Sequence, residues 1–376
     1  MPGIYLHWPF CLSKCAYCSF VSRPDQSLAV PYAKALETEI RQAAGLISSC
    51  ADTVFFGGGT PSLMRPDTLR QLVDAMEDSF GLARDAEITV EMNPRTAGQP
   101  WLETARRAGV NRLSMGLQAV QDHLLRLLGR RQSASDAAET FYAARRAGFS
   151  NLSLDLIYGI PGQTMAEWYE TLEFAVGLGP QHLSLYALSL EPETPLAAAA
   201  AAGEIAPPDE DQAADMYVFA RSFLTGSGFR QYEISNFSRP GFECRHNLKY
   251  WTLDDYLGFG AAAYSCLGLS RFGNISDISC YISVIADGGS AVSDREQISP
   301  RERQREFFML RTRLTEGFSP AEFEQAAGVP FTETGRPGLR RAVELGLLRR
   351  QEERFVPTGR GLRLQNQLAL LLMDDV

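Results

Sequence analysis

The sequence predicts an α/β fold: a partial (β/α)6 barrel, then a small α+β accessory region, then a C-terminal winged-helix-like module. Short β-branched or aromatic runs recur at intervals of very roughly 30 residues, helix-compatible stretches lie between them, and polar residues gather where the runs end. The runs are GIYLHWP, TVFFGGG, EITVEMN, RLSMGLQ, NLSLDLIYG and HLSLYALSL. Six are too few for a closed barrel of about eight strands, so an open one is expected.

The stretches between them carry the helical period. VPYAKALETEIRQAAG and SDAAETFYAARRAGF place apolar residues three and four apart and end on glycine, which readily takes the conformation of a helix stop. Cys11 follows the first run and GGGTP the second; Glu91 and Asn93 lie in the third, Gln118 in the fourth and Asp155 in the fifth. In such barrels chemistry sits at the C-terminal ends of the strands, so these residues are expected to line one site.

The barrel is expected over 1–195. From about residue 195 the pattern changes to LAAAAAAGEIAPPDEDQ, a helix end and connector, and the accessory region is expected over 196–298. Residues 299–376 read as helices followed by LLRRQEERFVPT as a hairpin. Winged helices often bind DNA, but the net charge of -9 and the apolar last helix favour packing or a protein contact, and no nucleic-acid partner is expected.

Lysine is rare, and arginine carries most of the positive charge. Cys50, Cys244, Cys266 and Cys280 lack the spacing of a disulfide framework, which fits a reducing compartment. No segment approaches the roughly 18 apolar residues of a membrane span, and the N-terminus lacks a leader pattern. A cytoplasmic protein is expected, with peripheral membrane contact left open.

The chemistry concentrates in FCLSKCAYCSF. Cys11, Cys15 and Cys18 offer three thiolates without a fourth, whereas a closed zinc site takes four ligands and a disulfide two. Three thiolates suit a [4Fe–4S] cubane that keeps one iron open. A zinc site completed by His7 or Cys50 is the alternative. GGGT lacks the lysine of a phosphate-binding loop, so it reads as a turn without bulky side chains.

Together with FFGGGTPS, EMNP, RLSMGLQ, DLIYGIPGQT, ISNF, HNLKYW and YLGFG in this order, the cysteine loop resembles the radical SAM superfamily. Within it, the chain is similar to the coproporphyrinogen oxidase-like branch and, over nearly its whole length, to the HemW heme-chaperone family. The resemblance implies that S-adenosylmethionine chelates the open iron. It also implies that Gly58, Gly59 and Thr60 let backbone approach the cofactor, that Glu91, Asp155, Gln118 and Arg130 bind its polar groups, that Tyr5, Ala187 and Tyr264 join the set, and that Tyr17 lies near the adenine. His246, in HNLKYW, is the expected heme ligand; the alternative is a loop capping the barrel with Tyr250 and Trp251 in the core.

As function, the resemblance implies a heme chaperone that passes heme to a membrane-bound respiratory apoprotein. The alternatives are an oxygen-independent coproporphyrinogen III dehydrogenase and a heme-binding protein that no longer cleaves the cofactor. The dehydrogenase motif continues to a fourth cysteine where this chain has Ser19 and Phe20, and that enzyme carries an N-terminal extension for which ten residues before Cys11 leave no room. The chain departs from the family at Ala119 and Val120, at Gln132, and at Tyr264, the last two replacing histidines; Cys244 is a candidate second heme ligand, with a core or surface thiol as its other reading. A homodimer is left open.

Overall fold

The computed structural model describes residues 1–332 and 336–376. Its main sheet takes β1 (Gly3–Trp8), β2 (Ala51–Gly58), β3 (Leu82–Met92), β4 (Arg112–Gln118), β5 (Asn151–Tyr158), β6 (His182–Ala187), β7 (Arg230–Gln231), β8 (Asn236–Ser238), β9 (Tyr256–Phe259), β10 (Tyr264–Leu267), β11 (Ser270–Asn274) and β12 (Val292–Gln297). The order is β12-β11-β10-β9-β1-β2-β3-β4-β5-β6-β8-β7, so the sheet stays open with β12 and β7 as edges. β1 to β6 run parallel, as expected of strands joined through helices.

Period-two alternation gives the parallel strands two unlike faces. Ile4, Leu6, Val54, Phe56, Val90, Leu113, Met115, Leu154 and Leu183 pack with Leu36, Leu72, Leu102, Phe141 and Trp168 of the covering helices in one core. The alternate positions are polar and still buried: Thr53, Thr89, Arg112, Ser114, Ser153, His182 and Ser184. Such a face is stable only where hydrogen bonds are supplied, which makes it the natural lining of a site. Capping boxes at Ser133 and Asp136, and at Thr164 and Glu167, start two covering helices where the sequence turns from strand end to amphipathic run.

The region 196–298 holds short strands and helices. It forms no sheet of its own: β7 and β8 extend the edge beyond β6, while β9 pairs parallel with β1 and leads β10 to β12 on the other side. The parallel set therefore has a seventh strand, β9, which follows the helix Arg245–Thr252. That helix holds HNLKYW, which the sequence placed in a loop.

A second core of Phe307, Phe308, Phe318, Phe323, Leu339, Leu348, Phe355 and Leu368 holds the C-terminal segment together. Its described elements are the helices Pro300–Arg311, Pro320–Ala327 and Pro337–Glu344, the hairpin of β13 (Leu348–Gln351) and β14 (Arg354–Pro357), and the helices Gly359–Arg363 and Gln365–Met373. The Thr315 amide donates to the Tyr232 carbonyl at 3.0 Å, tying this module to the barrel sheet.

Candidate functional site

The cysteine loop leaves β1 and is fastened at both ends and in the middle. The Cys11 amide donates to the Arg23 carbonyl at 3.0 Å, the Ala16 amide to the Leu128 carbonyl at 3.0 Å, and the His7 Nε2 lies 2.8 Å from the Val21 carbonyl. His7 Nδ1 lies 3.0 Å from the Tyr5 hydroxyl, so one buried imidazole joins the strand to the end of the loop. Burial lowers the His7 pKa and favours the neutral ring, which can donate at one nitrogen and accept at the other.

Cys11, Cys15 and Cys18 are partly buried and free of disulfides. Burial is the main cause that raises the thiol pKa of Cys11 and Cys18; the neighbouring sulfurs add to it, and the Thr60 hydroxyl opposes it at Cys11. Among the described residues no three His, Cys, Asp or Glu side chains converge as tightly as a single ion requires. Three thiols in electrostatic reach of one another, without a fourth, form a donor set that fits a cubane cluster with an open iron.

The glycine turn after β2 packs directly on this loop. Gly59 and Thr60 donate their amides to the Trp8 and Phe10 carbonyls, each at 2.8 Å. Gly58 has φ +103°, and a Cβ there would lie 2.4 Å from the His7 ring, so only glycine fits. Thr60 then opens a hydrogen-bonded chain. Its hydroxyl donates to Cys11 Sγ at 3.6 Å, Asn93 Nδ2 donates to the Thr60 hydroxyl at 3.0 Å, Arg130 Nη1 donates to Asn93 Oδ1, and Arg130 Nη2 donates to the Tyr17 hydroxyl at 3.1 Å. The chain runs from the first cysteine back to the residue before the third. Burial pushes the Tyr17 pKa up to about 12, with Arg130 opposing.

Gln118 enters through a bulge. The register between β4 and β5 shifts between Gly116 and Gln118, and Gln118 takes φ +67°, an uncommon conformation for a side-chain-bearing residue. A Cβ on Gly116 would meet Gln118 Nε2 at 2.6 Å, Arg130 Nη2 at 2.9 Å and Asn93 Oδ1 at 3.0 Å. Three polar side chains thus converge where glycine leaves room.

Glu91 Oε2 accepts the Gly58 amide at 3.2 Å, and Asp155 accepts the Ser114 hydroxyl at 3.1 Å. Burial, reinforced by Asp155, pushes Glu91 up to about 8. Asp155 is also raised by burial, against hydrogen bonds from Ser184 and Ser114 and the charges of Arg112 and Arg130. Both carboxyls therefore lean toward the protonated form, burial being the main cause at each. Tyr5 stacks on Phe55, its phenol pKa raised by burial and then by Glu91.

Thr60, Arg130 and Tyr17 are thus linked to the cysteine loop by hydrogen bonds, Gly59 packs on it, Tyr5 and Gly58 adjoin it through His7, Glu91 joins Gly58, and Gln118 and Asp155 lie near Arg130. Asn93, read from the sequence only as a polar strand-end residue, is the link between Thr60 and Arg130; its place two residues after Glu91 was the available signal. Ala187 ends β6 beside Tyr158 and is exposed. Tyr264 begins β10 and points its hydroxyl at Asp294, 3.5 Å away.

His246 lies inside the molecule, away from the cysteine loop. It is 1% exposed, its Nδ1 lies 2.9 Å from the Thr53 hydroxyl and its Nε2 2.9 Å from the Tyr250 hydroxyl, and its ring stacks on Phe55. Burial, with Lys249 and Arg112 nearby, pushes it down to about 3. Both ring nitrogens are thus engaged within the protein, an arrangement that answers to the capping alternative for HNLKYW. Cys244 is likewise buried, its thiol donating to Glu87 at 3.6 Å, which answers to its core reading.

Residues 5–175 match the radical SAM superfamily and residues 298–364 the HemN C-terminal domain. A Mycobacterium tuberculosis protein named heme chaperone HemW is 36% identical over 99% of this chain and 94% of its own. Its Bacillus subtilis namesake is 35% identical over 98% of each chain. The Escherichia coli structure described as coproporphyrinogen III oxidase (HemN), a radical SAM enzyme, superposes with a TM-score of 0.86 at 26% identity and covers 100% of this chain and 91% of that one.

Proposed function

The chain belongs to the HemW family of the radical SAM superfamily, and on that premise we propose that it is a radical SAM protein acting as a heme chaperone. The observation that carries this is the near full-length identity to proteins of that name, joined to a cysteine loop that stops at Cys18 and continues as Ser19 and Phe20.

Cys11, Cys15 and Cys18 would hold a [4Fe–4S] cluster. When bound, the cluster supplies an electron for cleaving the sulfonium bond of S-adenosylmethionine. The protein's part is to place that cofactor. Glu91 and Asp155 would accept from its ammonium or ribose hydroxyls, Arg130 and Gln118 would meet its carboxylate, and the bare turn Gly58, Gly59 and Thr60 would offer backbone. Tyr5, Tyr17 and Ala187, the exposed last residue of β6, would complete the set, with Tyr17 kept in place by Arg130. Carboxyls that lean toward the protonated form favour a cationic ligand, because its charge repays the cost of ionising them.

Heme is the cargo, and we take its recipient to be a membrane-bound respiratory heme apoprotein met from the cytoplasmic side. Among the described residues no helix is long and apolar enough to cross a membrane. The division into 1–195, 196–298 and 299–376 remains our proposal, with the separate aromatic core of the last segment in its support.

The test is an anaerobic one on a single sample, reconstituted with iron and sulfide. Stoichiometric heme binding without conversion of coproporphyrinogen III supports the chaperone. Turnover of the porphyrinogen with release of carbon dioxide would replace it with the dehydrogenase, and heme binding without any 5′-deoxyadenosine would leave a chaperone that no longer cleaves its cofactor.

A further inference from the structure

The inner face of the barrel buries a cation at the end of the strands opposite the cysteine loop. Arg112 opens β4 and is 1% exposed, yet its Nε and Nη1 meet no hydrogen-bond acceptor. Burying a guanidinium is costly, and unpaired N–H groups add to the cost. What Arg112 returns therefore acts through its charge.

The register of the strands sets that charge behind the cofactor site. Arg112, Ser114 and Gly116 alternate onto one face of β4, where Ser114 lies level with Glu91 of β3 and Gly116 level with Asp155 of β5. Ser114, the next inward residue after Arg112, donates its hydroxyl to Asp155 at 3.1 Å. The charge of Arg112 acts on Glu87, Cys244, Tyr232, His182 and His246 on one side, and on Asp155 and Glu91 on the other. Glu87 is taken up with the amides of Arg245 and His246, each at 3.2 Å. The other ionisable groups that face the two site carboxyls are Arg130 at Asp155, Tyr5 and Tyr250 at Glu91, and Tyr186 at both. Arg130, the one cation of these four, is bound to Asn93 and Tyr17.

We propose that Arg112 is a positioning residue for the cofactor: from inside the barrel its charge keeps Asp155 and Glu91 anionic toward the cationic end of S-adenosylmethionine. This rests on the cofactor reading above. Burial drives both carboxyls toward the protonated form, which is a poor partner for a cation. A fixed positive charge behind them offsets that drift, and it also repels the ligand to a lesser degree. The two effects separate with pH. The first sets where binding rises as the carboxyls ionise, and the second sets its ceiling.

The experiment measures S-adenosylmethionine binding by anaerobic equilibrium dialysis of the full-length, cluster-loaded chain on both sides of pH 8, beside an infrared titration, without ligand, of the protonated-carboxyl band that Glu91→Gln removes. Wild-type binding should rise through about pH 8. In Arg112→Met the midpoint should move up by about one pH unit, as expected when a unit charge is removed from a protein interior. The infrared band should persist to correspondingly higher pH, and binding above the midpoint should be no weaker than in the wild type. Arg112→Lys, which keeps the charge and loses the fork, should follow the wild type. Should Arg112→Met not fold, the double variant Arg112→Met with Glu87→Gln strands no buried charge and carries the same test. An unmoved midpoint and infrared titration in a folded, charge-free variant overturn the assignment and leave Arg112 as the counter-charge of Glu87. A loss of binding that is equal at every pH, and equal for methionine and lysine, overturns it as well, because that is the mark of a structural role. A wild type that holds its cluster and binds no S-adenosylmethionine instead overturns the cofactor reading, while the infrared titration still reports what Arg112 does to the carboxyls.

Discussion

The His246 Nδ1 lies 2.9 Å from the hydroxyl of Thr53, a β2 residue that is itself fully buried. The contact fastens the helix Arg245–Thr252 to the inner face of the barrel at the start of β2, away from the strand ends where the cysteines stand. Around it, Glu87 accepts the amides of Arg245 and His246, each at 3.2 Å, and Lys249 pairs with Asp52 at 2.7 Å.

Replacing His246 with alanine should therefore cost folding stability, on the order of 2–4 kcal/mol for two lost buried hydrogen bonds and the space left behind. The folded-state pKa of about 3 lies below the ordinary 6.5, so the stability that neutral His246 contributes is present above pH 6.5 and is lost as pH falls toward 3. Urea midpoints measured across that window should fall more steeply for the wild type than for His246→Gln; parallel curves would contradict the burial described here.

Glu91 carries the opposite sign. Its pKa rises from the ordinary 4.5 to about 8, so its contribution to stability is present below pH 4.5 and is lost as pH climbs through 8. The urea midpoint of Glu91→Gln should gain on that of the wild type over this interval. A constant gap between the two proteins would show that Glu91 titrates normally.

Arg130→Ala cuts the hydrogen-bonded chain from Tyr17 to Cys11 between Tyr17 and Asn93. S-adenosylmethionine binding should weaken by something on the order of 1–3 kcal/mol, because Asn93 and Tyr17 both lose a partner as well as the ligand's own contact. The iron content should not change. Anaerobic equilibrium dialysis beside an iron assay separates the two readouts, and loss of the cluster would mean that the chain of hydrogen bonds supports the loop itself.

Alanine at Cys11, Cys15 or Cys18 should abolish the brown colour and about four irons per chain, as cubane ligation by three thiolates requires. Cys50→Ala should keep both. Full iron in the triple variant, or zinc in its place, is the outcome that excludes the cluster.

Much of this was legible because it is local. The cysteine spacing, the glycine turn and the alternation along β1 to β6 each lie within a few residues, and Glu91 and Asp155 stood out as charges at the ends of otherwise apolar strands. The role of His246 was not legible, since what buries it is Thr53 and Phe55, far away in sequence and ordinary in type. The pairing of β9 escaped for a similar reason: YLGF reads as one of several short strands, and its partner is the first strand, far away in sequence. The bulge that turns Gln118 inward depends on how β4 meets β5, which RLSMGLQ alone does not encode.

The pairing of Gly3–Leu6 with Tyr256–Phe259 also dictates an order of events during synthesis. The first strand emerges from the ribosome early, yet one edge of it has no mate until the chain is more than half made. Until then its amides and carbonyls face water or a chaperone, and the half-finished sheet offers a free edge to any passing strand. Closure over so long a loop should be a late, slow step. A chain truncated before Tyr256 would keep the cysteine loop and most strand ends but would lack the neighbour that holds the first strand, making it more prone to aggregate than its intact core suggests.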